Sequence, residues 1–256
     1  MNTSPEELVA YWSKAGTRRG RAVIHTRLWL KSAVWRGVIA GSLLIKRALD
    51  ILAGAGALLA LSPVLLTVIA LIKLEDGGPI FFRQMRVGLR GRLFGMWKFR
   101  SMVLNADALK DQLLKQNEMQ GGVTFKMKND PRVTRIGKYL RKFSIDEMPQ
   151  LWNVLQGDMS LVGPRPALPA QLAEYTDLAR QRLFVRPGLT GLAQVHGNIF
   201  LSWPERWVYD AEYVTRVSFA LDVWIVARTV AVVVLGEGRF LKKPTPPDEQ
   251  SARRAA

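Results

Sequence analysis

Two adjacent carboxylates, Asp146 and Glu147, stand among cationic side chains in the middle of this 256-residue chain. A carboxylate can act as a nucleophile, a general base or a ligand for a hard metal ion. Guanidinium and ammonium groups bind anions, and the whole chain carries a formal charge of +16. The segment therefore indicates a site for an anionic substrate. The cations that precede the acid pair are Arg135, Lys138, Arg141 and Lys142.

The same acid pair also fits a purely structural role. Ser144 starts a predicted helix over residues 144–155, and Glu147 follows three residues later, which is the spacing of a capping box. Asp146 would then favour the helix dipole. Pro149 disturbs that register, because a proline at the fifth helical position loses a backbone hydrogen bond. A cap needs no arginine cluster, so we expect the pair to do more than cap a helix.

Three further cationic motifs could contribute to a phosphate site. Lys98 and Arg100 end a predicted strand two residues apart, so they would share a face and could grip a diphosphate together. The loop Gly163-Pro164-Arg165-Pro166 fixes φ at two prolines and can aim one guanidinium. Arg186, before Pro187-Gly188, repeats that arrangement. A solvated strand face and simple turns are the structural alternatives.

Other polar and aromatic residues carry weaker predictions. A lone histidine such as His196 is more often a structural hydrogen-bond donor than a proton shuttle. Trp203 and Trp207 are expected in packing rather than as stacking platforms for a base. Asp210 and Glu212 are expected on an exposed helix face.

Composition limits the metal chemistry that is available. The chain has no cysteine and two histidines, which excludes disulfides, thiolate zinc sites and histidine-rich metal sites. Any metal must be a hard cation held by oxygen ligands, such as Mg²⁺. The strong positive charge implies an acidic partner: nucleic acid, anionic lipid or a phosphorylated substrate.

The segments that carry these residues indicate an α+β fold that is mostly helical, with one short β element. Two strand-like segments, 79–84 and 92–100, flank a glycine turn at 88–91. Further helices are predicted over 105–120 and 135–142. We expect residues 74–235 to form one compact catalytic domain.

Residues 51–72 form an uncharged run long enough for a membrane helix of ~33 Å. Ser62 and Pro63 interrupt this run at its middle, where proline forces a kink. Basic residues flank both ends, and positive charge marks the cytoplasmic side of a membrane segment. We therefore predict a re-entrant helix–break–helix over 46–73. A spanning helix and a buried soluble helix are the less favoured alternatives.

The two ends of the chain are predicted to lie outside the catalytic domain. Residues 1–45 combine a polar start with an amphipathic helix for the membrane interface, for which an ordinary packed helix is the alternative. Residues 219–235 are apolar but carry two charges, which favours a core or interface helix over a second span. Residues 236–256 have the proline and charge content of a disordered tail.

Eight short motifs follow one another between about Lys46 and Asp222. They are Lys46-Arg47-x-x-Asp50, Ser62-Pro63, Phe82-Arg83-Gln84, Lys98-Phe99-Arg100-Ser101, Asp130-Pro131-Arg132-x-Thr134, Ser144-x-Asp146-Glu147-x-Pro149-Gln150, Asp158 to Pro166, and Arg186-Pro187-Gly188-x-Thr190-Gly191. With these motifs in this order, the chain resembles the bacterial sugar transferases, the monotopic phosphoglycosyl transferases of polyprenyl-phosphate glycan assembly. So many motifs in one order make coincidence an inadequate explanation.

The resemblance implies transfer of a sugar-1-phosphate from a UDP-sugar to a polyprenyl phosphate, with release of UMP. It implies that Asp146 is the nucleophile and forms a phosphosugar-aspartyl intermediate, and that Mg²⁺ bridges this acid site and the diphosphate. Arg100, Arg141 and Arg165 would neutralise the phosphate oxygens.

The resemblance also implies a bacterial inner membrane location with the catalytic domain on the cytoplasmic face, lipid partners and no nucleic acid. A homo-oligomer is compatible with it. The alternative class is a non-enzymatic basic module that binds a membrane surface or nucleic acid.

Overall fold

A computed structural model describes residues 18–106, 108–109, 130–197 and 200–235. The chain divides into two compact units, Met1–Leu49 and Asp50–Ala256. The predictions for residues 1–17 and for the tail 236–256 lie outside the described residues, as does most of the predicted helix 105–120. The helices are α1 (Arg18–Asp76), α2 (Arg135–Lys142), α3 (Gln150–Gln156), α4 (Asp177–Gln181), α5 (Leu192–His196), α6 (Trp203–Arg216) and α7 (Phe219–Leu235); the strands are β1 (Phe81–Val87), β2 (Leu93–Phe99), β3 (Ser160–Val162) and β4 (Gly188–Thr190).

The described elements are mostly helical with short strands, which confirms the predicted α+β class. The strands β1 and β2 form an antiparallel hairpin with Phe81 opposite Phe99 and Val87 opposite Leu93. A 3₁₀ turn over Leu89–Gly91 joins them, with Arg90 and Gly91 at positive φ. The glycine turn between two strand-like segments predicted this hairpin correctly.

Helix α1 contains a segment, Gly41–Asp76, that is long and apolar enough to cross a membrane by length and composition. The helix continues through Pro63 without interruption. Proline cannot donate to the Leu59 carbonyl, and the Ser62 hydroxyl donates to that carbonyl instead at 2.7 Å. The backbone is therefore helical through Ser62-Pro63. The re-entrant turn that would return the chain to the same membrane side stays a prediction.

The catalytic region packs against the C-terminal part of α1. Val68 and Ile72 form a buried cluster with Phe99 of β2 and Leu140 of α2. The buried Asp50 carboxylate accepts a hydrogen bond from the Leu161 backbone N–H at 3.1 Å, which ties α1 to β3. Apolar burial and long-range hydrogen bonds such as this one therefore fix the C-terminal part of α1 relative to the strands.

The second half of the chain builds around the parallel pair β3–β4, in which Ser160 faces Gly188 and Val162 faces Thr190. The largest described core cluster lies beside this pair and joins α5, α6 and α7, with Val195, Tyr213 and Ile225 fully buried. Helix α7 is confirmed over 219–235, and it contributes Ile225 and Val232 to the interior while Val230 and Val233 are exposed.

Candidate active site

The acid pair lies on a tight turn between two helices rather than at the start of a long one. Residues Ile145–Glu147 form a 3₁₀ turn, and α3 begins only after Pro149, which stands at its N-cap position. Ser144 has φ +56° and its side chain caps nothing. This left-handed conformation costs a non-glycine residue about 1–2 kcal/mol. The predicted capping box is therefore wrong, and the proline is the reason the helix starts late.

Glu147 uses its carboxylate to hold two cations. Lys98 Nζ lies 2.8 Å from Oε1, while Arg165 donates to Oε2 at 3.1 Å and to Oε1 as well. Burial raises the pKa of Glu147, but Arg165 and Lys98 outweigh it and hold that pKa well below the usual range. Glu147 is thus a permanent anion that fixes two cations, and it is a poor proton acceptor.

Asp146 has the opposite environment. The residue is 8% exposed, and no described residue donates a hydrogen bond to its carboxylate. Burial is the main cause that raises its pKa, while Lys98 lowers it and the Glu147 charge raises it. A desolvated carboxylate without a hydrogen-bond partner is a more reactive nucleophile than a solvated one.

Three predicted cations surround this carboxylate. Lys98, Arg141 and Arg165 each act electrostatically on Asp146. Strand β2 brings Lys98 to the site because buried Asn153 of α3 accepts from the Trp97 N–H at 2.9 Å and donates to the Gly95 carbonyl at 2.9 Å. Residues that are far apart in the sequence thereby form one cluster. Asp146 and Glu147 are neighbours on the turn, but Glu147 is the one that pairs directly with Lys98 and Arg165.

The loop of Pro164, Arg165 and Pro166 is held at three consecutive carbonyls. The Gly188 N–H donates to the Pro164 carbonyl at 2.9 Å. Arg182 Nη2 donates to the Arg165 carbonyl at 2.6 Å, and Arg86 Nη1 donates to the Pro166 carbonyl at 3.1 Å. The two prolines and these bonds fix the direction of the Arg165 guanidinium.

Behind this loop lies a buried ion pair that the sequence did not reveal. Arg182 lies 3.0 Å from Asp210 and also donates to the Tyr175 hydroxyl at 2.9 Å. Asp210 is 2% exposed, so its predicted exposed position is wrong. The one sequence signal was its spacing on α6: Asp210 precedes Tyr213, also buried, by three residues.

Two predicted substrate cations do not join the cluster. Arg100 donates to both carboxylate oxygens of Asp76 and, at 2.5 Å, to the Pro79 carbonyl. Arg186 donates to the Gly157 carbonyl at 2.9 Å. Lys98 and Arg100 diverge because β2 ends at Phe99, where the strand alternation stops. The structure therefore gives both arginines partners within the fold.

His196 also lies within the fold rather than at the acid pair. Its ring stacks on Tyr209 with centroids 4.7 Å apart, and Nδ1 lies 2.9 Å from the Leu192 carbonyl. Trp207 packs edge-on against Tyr175. Both observations agree with the structural roles expected for these residues.

Two cavities of the described region share no lining residue, and only the first includes Arg141 and Arg165 of the cluster in its wall. The first, called here the arginine pocket, has a volume of about 290 Å³ and a lining rich in arginine. The second, the apolar groove, has a volume of about 330 Å³ and a lining of aliphatic and aromatic residues. The arginine pocket is lined by Arg86, Arg141, Arg165, Arg182, Arg206, Gln171, Gln194, Trp203, Asp210 and the segment 166–168 with Ala193; the apolar groove by Leu58, Leu65, Ile69, Phe81, Trp97, Phe99, Pro149 and Trp152.

Sequence comparison identifies the family to which this chain is similar. Residues 41–236 match the family described as bacterial sugar transferase, and this range includes the acid pair, the cations and both cavities. The chain belongs to the bacterial sugar transferase family.

Three relatives in this family illustrate the likeness. The exopolysaccharide production protein ExoY of Sinorhizobium fredii is 42% identical over 198 residues, which cover 76% of this chain and 88% of ExoY. The undecaprenyl-phosphate galactose phosphotransferase of Salmonella typhimurium is 39% identical over 199 residues, 77% of this chain and 42% of that protein.

The third is the UDP-N-acetylgalactosamine-undecaprenyl-phosphate N-acetylgalactosaminephosphotransferase of Aeromonas hydrophila. It is 42% identical over 200 residues, 76% of this chain and 44% of that protein. The chain therefore spans most of ExoY but matches less than half the length of the two phosphotransferases. The two phosphotransferases are named for different sugars, galactose and N-acetylgalactosamine, and match this region at 39% and 42% identity.

The carboxylates of this sugar transferase site fit a magnesium ion that takes most of its ligands from substrate phosphates and water. The described residues hold no group of three or more His, Asp or Glu side chains suited to a metal. Mg²⁺ commonly binds one or two carboxylates and takes its other ligands from substrate phosphates and water. Asp146 offers an unengaged carboxylate for that arrangement, whereas Glu147 is already occupied by Lys98 and Arg165.

Proposed function

We propose that this bacterial sugar transferase moves a sugar-1-phosphate from a UDP-sugar to a membrane polyprenyl phosphate, such as undecaprenyl phosphate, and releases UMP. The observation that carries the proposal is the buried Asp146 carboxylate, free of hydrogen bonds to described residues and placed among Lys98, Arg141 and Arg165. The names of its relatives support the same donor and acceptor classes. The product would begin assembly of an exopolysaccharide or a related glycan, as the likeness to ExoY suggests.

In the first step an Asp146 oxygen attacks the phosphorus that carries the sugar. A new O–P bond forms to the carboxylate, and the bond from that phosphorus to the bridging oxygen breaks. The bridging oxygen keeps the electron pair and leaves as part of UMP. Lys98, Arg141 and Arg165 counter the negative charge on the phosphate oxygens, which otherwise repels a carboxylate nucleophile.

In the second step a phosphate oxygen of the polyprenyl phosphate attacks the same phosphorus. The new P–O bond forms as the aspartyl O–P bond breaks, which regenerates the Asp146 carboxylate and gives a lipid diphosphate sugar. Before the first step, while the donor is bound, the Asp146 carboxylate would help to hold Mg²⁺, and the ion would supply further neutralisation of phosphate charge. Glu147 acts throughout as the anchor that keeps Lys98 and Arg165 in place.

The proposed location is the cytoplasmic face of the bacterial inner membrane. The apolar segment of α1 with basic residues at both ends supports a helix that enters the bilayer and returns at Ser62-Pro63. This depth would present Asp146 to lipid phosphates at the headgroup level.

The test is UMP release from UDP-sugars by purified protein in lipid nanodiscs that contain polyprenyl phosphate. Wild-type protein should release UMP and form a covalent phosphosugar adduct, and Asp146→Asn should do neither. Full activity in Asp146→Asn would refute the assignment of the nucleophile. Kinetics that require both substrates bound at once would refute the covalent route.

A further inference from the structure

The arginine pocket contains more positive charge than the reaction at Asp146 uses. Arg206 lines the pocket from α6, beyond the three cations that act on Asp146. Its Nε donates to the Leu201 carbonyl at 3.2 Å, and its guanidinium carbon lies 4.8 Å from the centre of the Trp203 ring. Its two terminal nitrogens donate no hydrogen bond to any described residue. The two terminal nitrogens of Arg206 are thus available to donate hydrogen bonds to an anion bound inside the cavity.

The arginines of this pocket also crowd one another. Burial, followed by the charge of Arg165, lowers the pKa of Arg86 to about 10. Burial and Arg165 also lower the pKa of Arg206, against the opposing effect of Asp210. Since Asp210 is already paired with Arg182, an anion bound in the pocket would relieve this repulsion.

The chemistry of the two cavities separates the two substrates. A polyprenyl tail is a hydrocarbon and matches the apolar groove, whose wall includes Leu58, Leu65 and Ile69 of α1. The arginine pocket instead offers guanidinium groups, the Gln171 amide and the Trp203 indole. Its volume of about 290 Å³ is close to the lower range of small-molecule sites. Such a lining suits a phosphate joined to a ribose and a base.

Resting on the function proposed above, we propose that the arginine pocket binds the nucleoside monophosphate half of the donor. Arg206 contacts the phosphate that leaves with UMP. When the bond between the two donor phosphates breaks, the bridging oxygen keeps the electron pair and becomes a terminal oxygen of that phosphate. Arg206 stabilises the charge that appears there, while Arg165 and Lys98 remain with the sugar-bearing phosphorus.

The experiment measures UMP binding to Asp146→Asn protein in nanodiscs, which removes turnover, with and without Arg206→Ala. Loss of a charge-assisted hydrogen bond should raise the Kd for UMP roughly ten- to hundredfold. The matched control is Arg216→Ala, which makes the same change on the same helix at an exposed ion pair with Glu212. The control should leave the Kd unchanged. Arg206→Lys keeps the charge and should fall between the two, and it replaces the alanine variant if that variant unfolds.

A second arm uses protein with an intact Asp146 that already carries the phosphosugar. Discharge of this adduct to polyprenyl phosphate should be unaffected by Arg206→Ala, because UMP has left by then. The proposal is overturned if Arg206→Ala binds UMP as Arg216→Ala does, if inorganic phosphate competes as well as UMP, or if discharge to the lipid is the slowed step. If the proposed function itself is wrong, the unmutated protein releases no UMP and forms no adduct, which is a different result from any of these.

Discussion

Replacement of Glu147 by glutamine tests the division of labour within the acid pair. Glutamine keeps the size of the side chain and one oxygen acceptor but removes the charge that binds Lys98 and Arg165. Because the Glu147 charge raises the pKa of Asp146, its removal should lower that pKa. Two consequences follow, one for the rate and one for the pH dependence.

The expected loss in rate comes from the two cations. A hydrogen bond to a charged group contributes about 1.5–3 kcal/mol, and Glu147 makes such bonds to both Lys98 and Arg165. Loss of one such contribution corresponds to a fall of roughly ten- to hundredfold in kcat for UMP release. The loss should not reach the level of Asp146→Asn, because the nucleophile is still present.

The pH profile gives the sharper test because its sign can be worked out. Activity requires ionised Asp146, so the acid limb of kcat follows the pKa of that carboxyl in the enzyme–substrate complex. Glu147→Gln should move the limb to lower pH. Lys98→Met removes the cation that most strongly lowers this pKa, so it should move the limb to higher pH.

The assay is UMP release from pH 4.5 to 9 in nanodiscs, with adduct formation followed by mass spectrometry. A limb that moves to higher pH in Glu147→Gln, or that moves in the same direction in both variants, would refute the electrostatic argument. A Glu147→Gln enzyme with the wild-type rate and profile would show that the anchor role is wrong.

Three further predictions concern the scaffold. Arg100→Ala should lower the free energy of unfolding by about 1.5–3 kcal/mol in denaturant titration, because it removes the hydrogen bonds that the buried guanidinium makes to Asp76 and to the Pro79 carbonyl. It should leave the Kd for UMP unchanged, and a weakened Kd at unchanged stability would restore the predicted substrate role of Arg100. Asp210→Asn leaves a buried guanidinium without its counter-charge, so it should lower the melting temperature and raise KM for the donor, and wild-type values for both would show the pair to be dispensable. The chain has no cysteine, so Lys46→Cys and Leu74→Cys can be labelled singly in sealed vesicles; a re-entrant helix makes both reactive from the cytoplasmic side, and labelling from opposite sides would show a span.

Sequence patterns predicted the parts of the site that depend on local chemistry. The β1–β2 hairpin follows from a glycine turn between two strand-like segments, and α2 was predicted with the bounds Arg135–Lys142 that the structure has. The grouping of Asp146 with Lys98, Arg141 and Arg165 followed from charge type and from the family resemblance. In each case the residue type restricts the available interactions before tertiary packing begins.

Partners distant in the chain could not be predicted in the same way. Arg182 and Asp210 meet across 28 positions, and either residue alone is an unremarkable surface charge in the sequence. Arg100 was assigned to substrate on strand alternation, but Asp76 at the end of α1 competes for it. The capping-box spacing failed for an energetic reason, since Glu147 gains more from two charge-assisted bonds than from one backbone N–H.

The charge balance at the acid pair favours a reaction in which the two substrates bind in turn. Lys98, Arg141 and Arg165 supply three positive charges, and Asp146 and Glu147 supply two negative ones, so the cluster without substrate is close to neutral. The donor diphosphate brings about two negative charges, and a lipid monophosphate brings about two more near neutral pH. Bound together, the two substrates would exceed the charge of these cations by about one unit even with a divalent cation present, whereas the donor alone would not. When UMP leaves before the lipid phosphate enters, the same three cations serve each anion separately. Under the proposed function, a phosphosugar stored on the buried Asp146 between these events would let the two anions use the site in turn.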